Sequence, residues 1–271
     1  IAGAVMQSIL RNPLASPFTL GLSNAAAFGA SLAIIFMDAG VFASNSTGYD
    51  INNTAAVTVM AFVFAMVATG VMLLMVKMTE CTPETIVLAG MAISSIFSAG
   101  LAFLQYIASD VALSAIVYWQ FGSLSKASWD NLAIIVIALL AISSYFLYKR
   151  WDLNAMESGE DVARGLGVNI RLTRFLVLTL SAVLTAIVVS FCGVIGFIGL
   201  VGPHIVKRLV GNDNRYVLTG SIVMGALVML LSYVVGTYVI FPTIPVGIIT
   251  SAIGGPLFIA ILLKGRRRRT V

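Results

Sequence analysis

Long runs without an Asp, Glu, Lys or Arg, separated by short polar stretches, set the pattern of this chain. Ten mostly apolar residues, IAGAVMQSIL, open it, and residues 11–17 follow as a turn-forming linker with two prolines. Residues 18–37, 55–76, 85–108 and 132–148 are uncharged, and each predicts one bilayer crossing at the α-helical rise of about 1.5 Å per residue. The stretches between them differ in character. Residues 38–53 are polar without Lys or Arg, and 77–84 is a short loop, KMTECTPE. The loop after residue 108 holds Asp110, Trp119, Lys126, Trp129 and Asp130, with its tryptophans read as interfacial aromatics.

The second half carries two longer runs. Residues 149–174 form the most polar segment, with room for one or two short surface helices. Residues 175–206 are then free of Asp, Glu, Lys and Arg, as are residues 216–263, which Phe241-Pro242-Thr243-Ile244-Pro245 divides into two spans. A straight 32-residue helix would overshoot a hydrocarbon core about 30 Å thick. Glycines at every third position, Gly193, Gly196, Gly199 and Gly202, followed by Pro203, predict a break there.

Charge decides how that break is used. If the chain reverses at the glycines, 15 of the 16 Lys and Arg fall on one face and only Lys126 on the other. If 175–206 crosses once, the split is 7 to 9. The positive-inside rule selects the reversal. The sequence therefore predicts a re-entrant half-helix, with residues 193–203 inside the bundle, where irregular backbone is tolerable. The basic face, holding 11–17, 77–84, 149–174, 207–215 and a C-terminal KGRRRRTV, is expected to be cytoplasmic.

Composition agrees with this picture and excludes others. The chain has 271 residues, 59% hydrophobic and 10% charged, with mean hydropathy +1.02; a soluble domain carries roughly 25% charged residues. A multi-pass membrane protein of one domain, residues 1–271, is the reading, with lipid as its solvent. The net charge of +5 reflects basic residues at span ends, with no pattern for nucleic acid. Cys81 and Cys192 are single, far apart and expected near opposite faces, so neither a metal site nor a disulfide is expected. There is no GxxxxGK[ST] phosphate loop, no HExxH and no catalytic triad, since His204 is the sole histidine. The spans contain no carboxylate for acid–base chemistry or ion coupling. A transporter so built moves its substrate passively or draws energy from a separate ATPase, for which 149–174 offers a contact surface. An ion-coupled or facilitative carrier without an ATPase is the alternative.

Three motifs carry a resemblance across essentially the whole chain: GAVMQSILRNPLASPFTLGLSN, GFIGLVGPHIVKRLVGNDNR and IPVGIITSAIGGPLFIAILLK. They resemble the permease subunits of importers for vitamin B12, ferric siderophores and haem, the FecCD-type family of type II ABC importers. The resemblance implies an all-α fold with ten helices, of which this chain would hold about nine, whole or partial. It would lack the first helix and most of the second.

The same resemblance implies two permeases per complex (here a homodimer), ABC ATPase subunits inside and a substrate-binding protein outside. ATP and Mg would be bound by the ATPase, and this chain would hold no cofactor and no catalytic residue. Carried over by position, 152–167 resembles the cytoplasmic coupling region that contacts the ATPase, within the coupling segment 149–174, with Asp152, Glu157, Glu160, Asp161, Arg164, Gly165 and Gly167 in it. Thr82, Pro83 and Glu84 resemble an inner gate region, and Gln105 and Tyr106 would line the pathway. Thr243 stands where the family often has Glu. An outer-face arginine often found shortly before it is also missing, which bears on how the binding protein docks. The substrate expected is a metal chelate, ferric siderophore first and cobalamin or haem next, in the inner membrane of a prokaryote with the C-terminus cytoplasmic.

Overall fold

A computed structural model describes residues 1–37, 41–44, 48–51, 54–78, 82–124, 127–239 and 244–267, with side chains outside 41–51, Val76 and 257–267. Cys81, Lys126, residues 241–243 and the last four residues, which enter the expectations above, lie outside the described residues. Twelve helices occur among those described. They are α1 (Ala2–Leu10), α2 (Leu22–Phe36), α3 (Thr54–Met78), α4 (Pro83–Ile107), α5 (Asp110–Gln120), α6 (Trp129–Tyr148), α7 (Arg150–Ser158), α8 (Glu160–Gly165), α9 (Ile170–Cys192), α10 (Ile198–Val210), α11 (Asn214–Val234) and α12 (Val246–Arg267). A π-helical turn, Val235–Val239, extends α11.

Five of these helices, in α3, α4, α6, α9 and α11 with its π turn, are long and apolar enough to cross a membrane. The core lies around α1 and α9. Residues 3 to 10 of α1 are all buried, and α9 buries Val177, Leu178, Ser181 and Ala182 against it. By contrast α4 and α6 bury one narrow face each and leave Leu88, Ile96, Phe103, Ile137 and Leu140 open, as lipid- or partner-facing helices do.

Several expectations change in detail. The expected span 18–37 is helical only from Leu22 to Phe36, because residues 15–17 do not stay at the surface. Ala15, Ser16 and Pro17 are buried, and the chain enters the bundle in turns before α2 begins. The loop after residue 108 contains a helix, α5, capped by the Ser109 hydroxyl, and it buries Trp119 rather than leaving it at an interface. Trp129 is the exposed one, at 86%. The polar stretch 38–53 contains a two-stranded antiparallel hairpin, residues 41–44 with 48–51, in which Val41 pairs with Ile51 and Ser44 with Gly48.

The predicted reversal is present. α9 starts beside α8, and α10 ends beside α7, so both flanks of the broken run return to one end of the bundle. The irregular backbone is narrower than the sequence suggested: it spans residues 193–197. Gly199, Gly202 and Pro203 lie within α10 and do not form part of the break.

Candidate functional site

Two arrangements on α10 organise the site, one at each end of this helix. The first is the break. Gly193 adopts φ 75°, open to glycine at little cost, and a side chain there would strike the Trp119 carbonyl. At the other end of the break, the left-handed position is taken by Phe197, φ 65°, a conformation that costs a non-glycine residue about 1–3 kcal/mol. Its ring lies 6.3 Å from that of Phe18, and its Cβ fills the space a side chain at Gly254 would need.

Close backbone approach explains the neighbouring glycines. Gly3 of α1 lies against the Gly199 carbonyl, and Gln7 Nε2 donates to that same oxygen at 3.4 Å. Gly247, at the start of α12, touches the Phe121 and Val194 carbonyls. Gly3, Phe18, Gly193, Phe197 and Gly199 line a cavity of about 290 Å³ that also reaches Ser16, Thr185 and Met229.

The second arrangement is polar and gathers at the basic end. Glu157, on the last turn of α7, accepts hydrogen bonds from Lys207 Nζ at 3.1 Å and from Asn214 Nδ2 at 3.1 Å. Ser8 Oγ of α1 lies 3.1 Å from Glu157, 3.0 Å from Asn214 Oδ1 and 3.2 Å from the Ala4 carbonyl, three acceptors for its one proton. Asn154 Oδ1 accepts from the Asn214 amide at 2.8 Å, and Asn154 Nδ2 donates to Asp213 at 2.9 Å. Asp213 caps α11, and the Arg215 guanidinium at 2.6 Å, with these hydrogen bonds, holds its carboxyl well below the usual carboxylate range. Arg215 in turn stacks over the Trp151 ring at 4.9 Å.

Of the expected coupling residues, therefore, two acids point inward. Glu157 is one, and Glu160 the other: it accepts from buried Arg174 of α9 at 2.7 Å, and that bond lowers its pKa from the ordinary 4.5. Asp152 pairs with Lys149 at 2.8 Å. The outward surface of the segment is the tip of α8, where Asp161, Val162, Arg164, Gly165, Leu166 and Gly167 are exposed. Arg164 approaches Glu160 at 3.7 Å only. Val162 and Leu166, at 49% and 69% exposure, are apolar residues offered to water on a charged segment. Four-residue spacing could have found that pair in the sequence; the acidic residues beside it drew attention instead.

The remaining expected residues sit on α4. Thr82 caps that helix, its hydroxyl accepting from the Thr85 amide at 3.3 Å, with Pro83 in the first turn and Glu84 exposed. Gln105 is half-buried and Tyr106 is 87% exposed near the far end. Tyr106 shares the open face of α4 with Ala92, Ser95, Ala99 and Ala102. The structure thus keeps the α4 residues far along the chain from the α8 tip, on separate elements. His204 lies in α10, its Nε2 buried without a hydrogen bond. No group of His, Cys, Asp and Glu able to hold a metal ion occurs among the described residues.

An apolar helical bundle with a broken helix and one polar segment at its end has the architecture of a multi-pass membrane protein. Residues 1–264 match the FecCD transport family, and the chain belongs to it; it is a permease component of an ABC importer, a subunit type that is not itself catalytic. It is 46% identical to an ABC transporter permease protein of Methanocaldococcus jannaschii, over 99% of this chain and 77% of that one. A haemin transport system permease of Yersinia pestis is 33% identical, over 100% and 79%. A molybdate import system permease of Haemophilus influenzae is 34% identical, over 98% and 76%. Among solved structures, an inward-facing ABC transporter described as of metal-chelate type superposes with a TM-score of 0.84 at 32% identity, covering 97% of this chain and 81% of that one.

Proposed function

We propose that this chain is one of two identical permeases of an ATP-driven importer for a metal chelate, ferric siderophore first and cobalamin or haem next. The observation that carries this reading is the α8 tip: apolar Val162 and Leu166 stand exposed beside Asp161 and Arg164, on a segment that holds 5 of the 16 Lys and Arg residues. Exposed apolar residues beside charged ones fit a surface that a soluble partner covers. The partner proposed is an ABC ATPase, which would bind ATP and Mg itself.

On this reading the basic end and the C-terminus are cytoplasmic. The substrate-binding protein docks at the opposite end. The open face of α4, with Ser95, Ala99, Ala102 and Tyr106, lines the pathway against its symmetry mate. ATP-driven closure of the ATPases would push the α8 tip and shift the bundle between two conformations. Relatives of nearly equal identity are described for haemin and for molybdate, so the choice of substrate is assigned to the binding protein.

The test is co-expression with the candidate ATPase, reconstitution in lipid, and ATP hydrolysis with and without a binding protein loaded with ferric siderophore. Stimulation by the loaded protein supports the reading. The paired change Val162→Asp with Leu166→Asp is expected to lose the co-purifying ATPase while the permease keeps its melting temperature. Uptake into vesicles without ATP hydrolysis would overturn the importer assignment.

A further inference from the structure

Four elements meet at one carboxylate. Glu157 belongs to α7, and its oxygens are met by Ser8 of α1, Lys207 of α10 and Asn214 of α11, at 3.1 Å each. The Glu157 and Lys207 side chains are only 18% and 16% exposed. The link is therefore little screened, and a charge-assisted hydrogen bond in such a place is about twice as strong as a neutral one.

The two inward acids of the segment are tied to different things. Glu160 binds Arg174 in the first turns of α9, a helix buried in the core. Glu157 binds α10, whose far end is the irregular backbone of residues 193–197. Between them, Gly159 joins α7 to α8 at φ 137°, with only the Val162 side chain near its missing Cβ, at 3.9 Å. One carboxylate thus fastens the segment to the core, the other connects it to the helix beside the break, and a glycine joint separates the two.

We infer that Glu157 is a positioning residue that transmits movement of the segment to α10, and through that helix to the break at residues 193–197. α10 is a continuous helix of 13 residues, about 20 Å long, with Pro203 inside it, and it links Lys207 directly to Phe197 at the break. Phe197 is already in an unfavourable backbone conformation, which makes the break a place where two arrangements can lie close in energy. Glu157 itself does not dock the ATPase; Val162 and Leu166 do that on the reading above, and this inference rests on it.

The test uses the complete transporter in proteoliposomes, with its ATPase and a binding protein loaded with ferric siderophore, and measures substrate moved per ATP hydrolysed. Glu157→Gln keeps the volume but puts an amide where one of the two accepting oxygens stood. Lys207→Met removes the partner, and Lys207→Arg preserves the pair. The expected result is about a tenfold lower ratio in Glu157→Gln and in Lys207→Met, the factor that loss of one hydrogen bond to a charged group gives. Lys207→Arg should keep the parental ratio, and the double change Glu157→Gln with Lys207→Met should be no worse than either single one.

A parental ratio in Lys207→Met overturns the inference, even where Glu157→Gln does not assemble. So does a loss of hydrolysis, uptake and melting temperature together in both variants, which would make the pair merely structural. Loss of the co-purifying ATPase in Glu157→Gln would make Glu157 a docking residue and overturn it too. A parent complex that hydrolyses no ATP is a different result: it defeats the importer reading itself.

Discussion

The two ends of α10 are held by opposite means. Its C-terminal end lies in a polar cluster, where Lys207, Glu157, Asn214 and Ser8 exchange hydrogen bonds. Its N-terminal end is held mainly by close backbone contact, with Gly3, Gly122, Gly193 and Gly247 each letting one backbone touch another and a single long hydrogen bond from Gln7 to the Gly199 carbonyl beside them. The difference follows from solvent. Near the interface, charged groups keep partial hydration and their pairing is specific. In the apolar interior a charge would be costly, so close van der Waals approach supplies the attraction. The polar end rests on side-chain hydrogen bonds; the glycine end has no room for a side chain at Gly3, Gly122, Gly193 or Gly247.

That contrast can be broken most severely at the glycines. Gly193→Ala would force an L side chain into φ 75° and against the Trp119 carbonyl at once. A loss of about 3 kcal/mol or more is expected, seen as loss of folded protein in detergent extracts. Parental yield and melting temperature would show that the break is slack.

A smaller effect is expected at the polar end. Arg174 holds Glu160 in its charged form, so the Glu160 pKa lies below its ordinary 4.5. The stability from this pair is complete above that ordinary value and is lost as pH falls through the lowered one. Glu160→Gln should cost about 1–2 kcal/mol at pH 7, allowing for the 35% exposure of the carboxylate. The difference from the parent should shrink when the melting temperature is measured below pH 4.5. A difference independent of pH would mean that the introduced amide packs badly, whatever the charge it replaced.

The smallest change sharpens the comparison by sparing both ends. Gly70 lies within α3 with nothing near its missing Cβ. Gly70→Ala is expected to stabilise by about 0.5–1 kcal/mol through helix propensity and a less free unfolded chain. A loss instead would reveal a contact on that face, as a second permease would supply.

Much of the architecture was legible from charge and length. The uncharged runs located α3, α4, α6 and α11 to within a few residues, because lipid tolerates no ionisable interruption. Counting Lys and Arg predicted that α10 turns back, as it does. How the expected coupling residues are exposed was only partly legible. Asp161, Arg164, Gly165 and Gly167 are on the surface as expected, but Glu157 and Glu160 face inward. Acidic residues on a short polar helix look alike in sequence whether they face water or a buried Arg174 on a later helix. The same limit applies to Trp119, which a loop would expose and α5 buries.

The sequence by itself determined that this protein lives in lipid, where its spans lie, and that its chain reverses after α9, since those follow from summed hydropathy and charge along a line. Only the tertiary structure decided which residue bends the backbone and which carboxylates face outward. Phe197, not a glycine, closes the break, because its ring and Cβ have Phe18 and Gly254 to pack on. Glu157 points inward because Ser8, Lys207 and Asn214, up to 149 residues distant from it in the chain, converge on its two oxygens. Such convergence is a property of packing, and no local pattern encodes it.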